Sequence, residues 1–122
     1  MKSAAEFANQ YLAAWNETDD ARRRQLVEQT FSPAASYQDP LMEGHGHDGI
    51  AAMIAAAQSH FPGHRFTLRG TPDGYKQVVR FSWALGIPGQ EPVAYGTDVA
   101  TTSDGRFDNV AGFLDTAQAQ PA

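Results

Sequence analysis

Three side chains in this sequence have the chemistry of a proton-transfer site: Asp39, Tyr11 far ahead of it, and Asp98 far behind it. A carboxylate can remove a proton beside a carbonyl group. A tyrosine hydroxyl and a protonated carboxylic acid can then donate hydrogen bonds to the oxygen that becomes an enolate. Pro40 follows Asp39 directly and holds it in extended or turn backbone, so that Asp39 ends a short strand. The same residues also have a plainer reading, with Tyr11 a core tyrosine, Asp39 a turn acid and Asp98 a strand acid facing water.

The elements that must position these groups follow from periodicity. Ala4, Phe7, Ala8, Tyr11, Leu12 and Trp15 recur at helical spacing behind Ser3 as cap, which puts Tyr11 inside a buried stripe. Thr18 or Asp19 starts a second helix running to about Gln29, with Leu26, Val27 and Phe31 inward and Pro33 as its stop. Arg22, Arg23 and Arg24 read as its solvated face. A short strand covers 34–39, and 43–48 is a loop in which Asp48 caps a third helix. Ile50, Met53, Ile54, Ala57 and Phe61 share one face of that helix, and Pro62-Gly63 ends it.

From His64 the period changes to two. Phe66 and Leu68 alternate with polar residues up to a turn at Thr71-Pro72-Asp73-Gly74. Val79, Phe81, Trp83 and Leu85 line one face of the next strand. Strands over 93–102 and 106–114 are joined through Asp104-Gly105 as a hairpin. Ala94, Gly96, Asp98 and Ala100 share a face, so an inward Asp98 would sit among side chains too small to fill the space. Helices first and strands afterwards give an α+β chain, with helices on one face of a mostly antiparallel sheet.

Composition narrows the function. The 122 residues make one domain, and 42% hydrophobic content fits a folded core. We expect a single domain over 1–115 and a flexible tail over 116–122. A net charge of −5 argues against nucleic acid as a partner. No cysteine is present, so thiol chemistry is excluded. No stretch has the length of a signal-peptide core or a membrane span, so we expect no membrane partner and take the cytoplasm as the default location. His45, His47, His60 and His64 supply enough nitrogens for a metal, but Pro62-Gly63 splits the second pair and glycines flank the first, so we expect none.

The segments Tyr11-Leu12-Ala13-Ala14-Trp15-Asn16, Phe31-Ser32-Pro33-Ala34-Ala35, Gln38-Asp39-Pro40 and Gly46-His47-Asp48-Gly49-Ile50 together resemble the NTF2-like superfamily. Within it they are most similar to the SnoaL-like group of polyketide cyclases and ketosteroid isomerase-like proteins. The resemblance spans about residues 4–115. It implies an NTF2-like cone, three N-terminal helices packed on a curved, mostly antiparallel sheet, with a pocket inside and frequent homodimerisation through the sheet.

For activity it implies cofactor-free acid/base chemistry, of isomerase or cyclase type, on a small apolar carbonyl compound. Asp39 would be the base, and Tyr11 with Asp98 the oxyanion hole. In SnoaL-like cyclases a late-strand aspartate is the general acid/base, which again points to Asp98. Phe7, Trp15, Met53, Phe61, Phe81 and Trp83 are the expected apolar wall. Gln38 departs from the pattern, standing where an acid is common. Epoxide hydrolysis, which in this superfamily pairs aspartates with an arginine, would have to use Arg106 and Asp108 at a hairpin end. The alternative to an enzyme is a non-catalytic ligand-binding or dimerisation domain on the same fold.

Overall fold

The computed structural model describes residues 2–115, and the tail expected over 116–122 lies outside the described residues. Helix α1, Ala4–Asn16, opens on a reciprocal cap in which Ser3 Oγ accepts from the Glu6 N–H and Glu6 accepts from the Ser3 N–H. Phe7, Ala8, Tyr11, Leu12, Ala14 and Trp15 are its buried face. Helix α2, Asp20–Thr30, is capped by Asp19, whose carboxylate accepts from the Arg22 N–H at 2.9 Å.

The arginine run on α2 departs from the sequence reading. Arg22 is exposed, but Arg23 is buried. Its guanidinium donates to the Glu17 and Thr18 carbonyls, the Asp20 carboxylate and Gln58 Oε1. Gln58 in turn donates to the carbonyls of Trp15 and Glu17, so this cluster ties α1, α2 and α3 together. A buried guanidinium is tolerable here because its donors meet acceptors.

Helix α2 stops at Thr30, earlier than Pro33 would require, because Phe31 already has extended backbone and opens strand β1, Phe31–Gln38. Strand β2, Glu43–His45, was expected as loop. It pairs antiparallel with β1, Tyr37 facing Gly44, around a turn that holds Asp39. Helix α3, Gly46–His60, then starts behind His45, so Asp48 lies in its first turn rather than at its cap. There it pairs with Arg24 of α2.

Strand β3, Arg65–Tyr75, runs through the turn expected at 71–74. It bends instead at a bulge between Arg69 and Asp73, with Gly70 at φ +75°, and the chain reverses at Lys76-Gln77. Pro72 is tolerated because β3 is an edge strand, where a missing N–H leaves no neighbour unpaired. Strands β4, Val78–Gly86, β5, Ala94–Ser103, and β6, Arg106–Leu114, complete the sheet. At the β5–β6 turn Asp104 and Gly105 both have positive φ, as a tight two-residue hairpin demands.

The six strands are ordered β2-β1-β6-β5-β4-β3. All pairs are antiparallel except β1 with β6. Three helices cover one face of this curved sheet, as the α+β order implied. On that face large and small residues alternate across β4 and β5: Val79 opposite Ala100, Phe81 opposite Asp98, Trp83 opposite Gly96, Leu85 opposite Ala94. Tyr11 packs edge-on against Phe81 and Phe107 at 4.9 and 5.3 Å between ring centroids, which fixes α1 over the sheet.

Candidate active site

Tyr11 and Asp98 meet, although they stand on α1 and β5. The Tyr11 hydroxyl donates to Asp98 Oδ2 at 2.7 Å, and both residues are 2% exposed. Asp98 faces inward because its face of β5 carries Ala94, Gly96 and Ala100. The room those residues leave is partly taken. A Cβ at Gly96 would lie 2.1 Å from the Trp83 ring, so glycine is what lets that indole lie across the strand beside the carboxylate.

Burial raises the Asp98 pKa from 3.8 to about 6. Hydrogen bonding from Tyr11 and the approach of the Trp83 indole oppose the rise, and the charges of Asp39 and Asp115 add to it. The second oxygen, Asp98 Oδ1, is buried and has no hydrogen-bond partner among the described residues. The Tyr11 phenol is driven well above its usual range, first by burial and then by the neighbouring Asp98 charge, so it remains a donor.

Asp39 sits nearby in a different environment. It is half-buried, and its Oδ1 accepts from the Leu41 and Met42 N–H groups at 2.7 and 2.9 Å. Its Oδ2 accepts from the Tyr37 hydroxyl at 2.5 Å. Burial and the two aspartates push the Tyr37 phenol upward as well. One glycine allows these groups to converge. Gly112 on β6 faces Asp98 across the ladder, and a Cβ there would lie 2.9 Å from Asp98 Oδ1, 3.1 Å from Asp39 Cβ and 3.2 Å from the Tyr37 hydroxyl.

Tyr37 and Gly112 were not singled out from the sequence. Tyr37 lies two residues before Asp39 and so shares its side of the strand, and Gly112 is a glycine inside a strand pattern. Both are readable signals of close packing.

Tyr11, Tyr37, Asp39 and Asp98 line one end of a cavity of about 90 Å³ whose other walls are apolar, among them Leu12, Phe66 and Leu114. Of the residues expected on that wall, Trp15, Phe61 and Trp83 are on it. Phe7 instead packs against Phe107, and Phe81 against Tyr11, both behind the cavity in the core. Met53 is buried on α3 beside a separate surface groove with Leu41 and Met42. Those three fall elsewhere because a helix or strand face is broader than the cavity it borders.

Among the described residues no group of three or more histidine or acidic side chains is placed to hold a metal. Arg106 donates to the Glu28 carbonyl and Asp108 accepts from the Ser32 hydroxyl, so the arginine and aspartate of the epoxide reading reach different partners outside the cavity. No helix among the described residues is long and apolar enough to cross a membrane.

A helix-covered curved sheet with an acid-bearing cavity defines an NTF2-like, ketosteroid isomerase-like fold. The model of the SnoaL-like domain matches residues 8–110, and the chain belongs to that family. A crystal structure of a candidate isomerase of the SnoaL-like family from Agrobacterium tumefaciens is 54% identical, with a TM-score of 0.90 over 95% of this chain and 100% of that one. A candidate polyketide cyclase from Sinorhizobium meliloti is 19% identical, with a TM-score of 0.69 over 91% and 99% of the two chains. A protein from Catenulispora acidiphila with a ketosteroid isomerase-like fold, solved with trimethylamine, is 16% identical, with a TM-score of 0.74 over 90% and 85%. The last two show the fold alone. The search of curated proteins gave no match.

Proposed function

We propose that this protein is a cofactor-free acid/base enzyme, of isomerase or cyclase type, acting on a small apolar carbonyl compound in the cavity. The observation that carries the reading is Asp98: a buried carboxylate on the cavity wall, with one oxygen held by Tyr11 and the other unpartnered. A pKa of about 6 leaves it mostly ionised at neutral pH yet able to hold a proton, which suits a group that takes one up and returns it. The description of the Agrobacterium protein as a candidate isomerase is in keeping with this.

The roles divide differently from the sequence expectation. Asp39 already accepts three hydrogen bonds, so both of its oxygens are occupied in fixing the turn and Tyr37. Asp98 is therefore the proton carrier, Tyr11 its hydrogen-bond partner, and Asp39 the fixed charge that orients Tyr37 and helps raise Asp98. Asp98 removes a proton from carbon beside the substrate carbonyl, and the C–H electron pair moves toward the oxygen to give an enolate. Return of that proton at another carbon completes an isomerisation. Attack of the enolate carbon on a second carbonyl of the same molecule closes a ring, and the alkoxide so formed takes the proton back from Asp98.

The experiment is exchange of carbonyl-adjacent hydrogen for deuterium in a panel of small ketones, followed by proton NMR in heavy water. The expected result is protein-dependent exchange that increases as pH rises through about 6 and is lost in Asp98→Asn. Exchange that persists in that variant overturns the assignment. We further propose that the exposed outer face of the sheet, which carries Phe113 opposite Thr97, joins two copies as a homodimer.

A further inference from the structure

A continuous arc of aromatic rings walls the cavity. Trp15 lies 5.5 Å from Tyr37 and 5.3 Å from Phe66 between ring centroids, Phe66 lies 5.2 Å from Trp83, and all four line the space. Successive rings are inclined at 54°, 68° and 81°, so they turn around the space instead of stacking flat across it. Aromatic walls attract a cation through the negative faces of their rings, within about 6 Å of a centroid.

The charges on the lining have the same preference. Asp39 and Asp98 are on it, with no lysine, arginine or histidine. Neither aspartate is ion-paired among the described residues. Asp98 is 2% exposed and, with a pKa of about 6, mostly ionised at neutral pH, so a buried negative charge stands without a counter-charge. An anionic ligand would be repelled, and an uncharged one would leave that imbalance as it is.

Hydrogen bonding narrows the cation further. The Tyr11 and Tyr37 hydroxyls donate to Asp98 and Asp39, and both Asp39 oxygens accept bonds. One acceptor on the lining residues, Asp98 Oδ1, has no partner among the described residues. That calls for a ligand with a single N–H and an otherwise apolar surface, which describes a tertiary ammonium ion. A primary ammonium brings further donors that would be left unpaired against the aromatic walls. A quaternary ion brings none. At about 90 Å³ the space is smaller than the roughly 150 Å³ engineered cavity that accepts benzene, which limits the substituents to short alkyl groups.

We propose that the cavity binds a small tertiary alkylammonium ion, whose N–H donates to the Asp98 carboxylate and whose alkyl groups lie against Trp15, Tyr37, Phe66 and Trp83. The ion has no C–H beside a carbonyl, so it is a ligand and not a substrate, and it excludes a carbonyl compound from the same space. The ammonium site goes beyond the proton-transfer reading and does not rest on it.

Both tryptophans of the chain, Trp15 and Trp83, line the cavity, so intrinsic fluorescence reports on it directly. The protein is titrated near neutral pH with trimethylammonium, with methylammonium, and with tert-butanol, which has the same methyl groups and one donor but no charge. Trimethylammonium should give a saturable change, with tert-butanol and methylammonium each bound roughly tenfold more weakly or worse. In Asp98→Asn the affinity for trimethylammonium should fall roughly tenfold while that for tert-butanol holds. Equal or tighter binding of tert-butanol or methylammonium by the wild-type protein overturns the proposal. So does the absence of a saturable change with trimethylammonium, and neither result needs a variant to fold. Undiminished trimethylammonium affinity in folded Asp98→Asn overturns it too. Deuterium exchange into butanone is read in the same samples. Saturable trimethylammonium binding with no exchange sinks the proton-transfer reading and leaves the ammonium site standing. Exchange that saturating trimethylammonium fails to suppress overturns the ammonium site and leaves the proton-transfer reading in place.

Discussion

Replacing Asp98 by asparagine should change how the stability of this protein depends on pH, and the size of the change follows from the site. Burial sets the native carboxyl at about 6 against 3.8 for an ordinary aspartate, so the native state binds this proton more tightly than the unfolded chain does. The stability it contributes is therefore fully present below the unfolded value and is lost as pH rises through the native one. The displacement corresponds to about 3 kcal/mol. Asparagine keeps the shape and an acceptor for Tyr11 but has no proton to lose. Its buried amide carries a cost of its own, which is the same at every pH and cancels in a difference between two pH values.

Urea unfolding of both proteins at about pH 4 and about pH 7.5 gives that double difference. Relative to wild type, Asp98→Asn should gain about 2.5 kcal/mol on going from the acidic to the neutral condition, slightly less than the full displacement because pH 4 is not below the unfolded value of 3.8. Parallel curves for the two proteins would refute the reasoning, because they would mean that Asp98 is no harder to ionise in the folded protein than in the unfolded chain.

Two further perturbations probe the packing and the assembly. Gly112→Ala introduces a methyl 2.9 Å from Asp98 Oδ1 and 3.2 Å from the Tyr37 hydroxyl, which requires the site to shift. It should cost about 1–3 kcal/mol of stability in urea unfolding and reduce ketone exchange, with the added methyl displacing Asp98 from its place against Tyr11. Phe113→Glu places a charge on the exposed outer face of the sheet, where Phe113 is 56% exposed. Light scattering should then report a monomer for the variant and a dimer for wild type, with the thermal unfolding midpoint of the isolated chain little changed.

The helices and the strands with strict alternation were legible because one face of each is continuously apolar. Val79, Phe81, Trp83 and Leu85 are all buried on β4, and the last strand begins and ends where alternation placed it. Illegible features were those fixed by partners distant in sequence. Strand β2 is three residues without alternation and exists because β1 lies beside it. Thr71 to Gly74 has the residues of a turn, yet the β3–β4 ladder carries it through as a bulged edge. Arg23 looked solvated because nothing near it in sequence announces Gln58, which accepts from it across the helices. The site was legible by residue type: Tyr11 and Asp98 were paired as candidates, and they form a hydrogen bond. What the sequence could not distribute was the remaining hydrogen bonds, which leave Asp39 occupied and Asp98 half free.

That distribution bears on why Asp98 is there at all. The interior around it is otherwise aromatic and aliphatic, and an apolar residue opposite Phe81 would avoid the cost of a buried charge. A purely structural carboxylate would be expected to use both oxygens, as Asp39 does, since a half-satisfied buried acid is worse for stability than an apolar side chain. Asp98 spends one oxygen on Tyr11 and leaves the other without a hydrogen-bond partner among the described residues, and it lines the cavity. A buried acceptor left open in a residue that lines a small cavity is available to a third molecule. The stability given up at neutral pH is then the cost of keeping a proton carrier ready for that molecule.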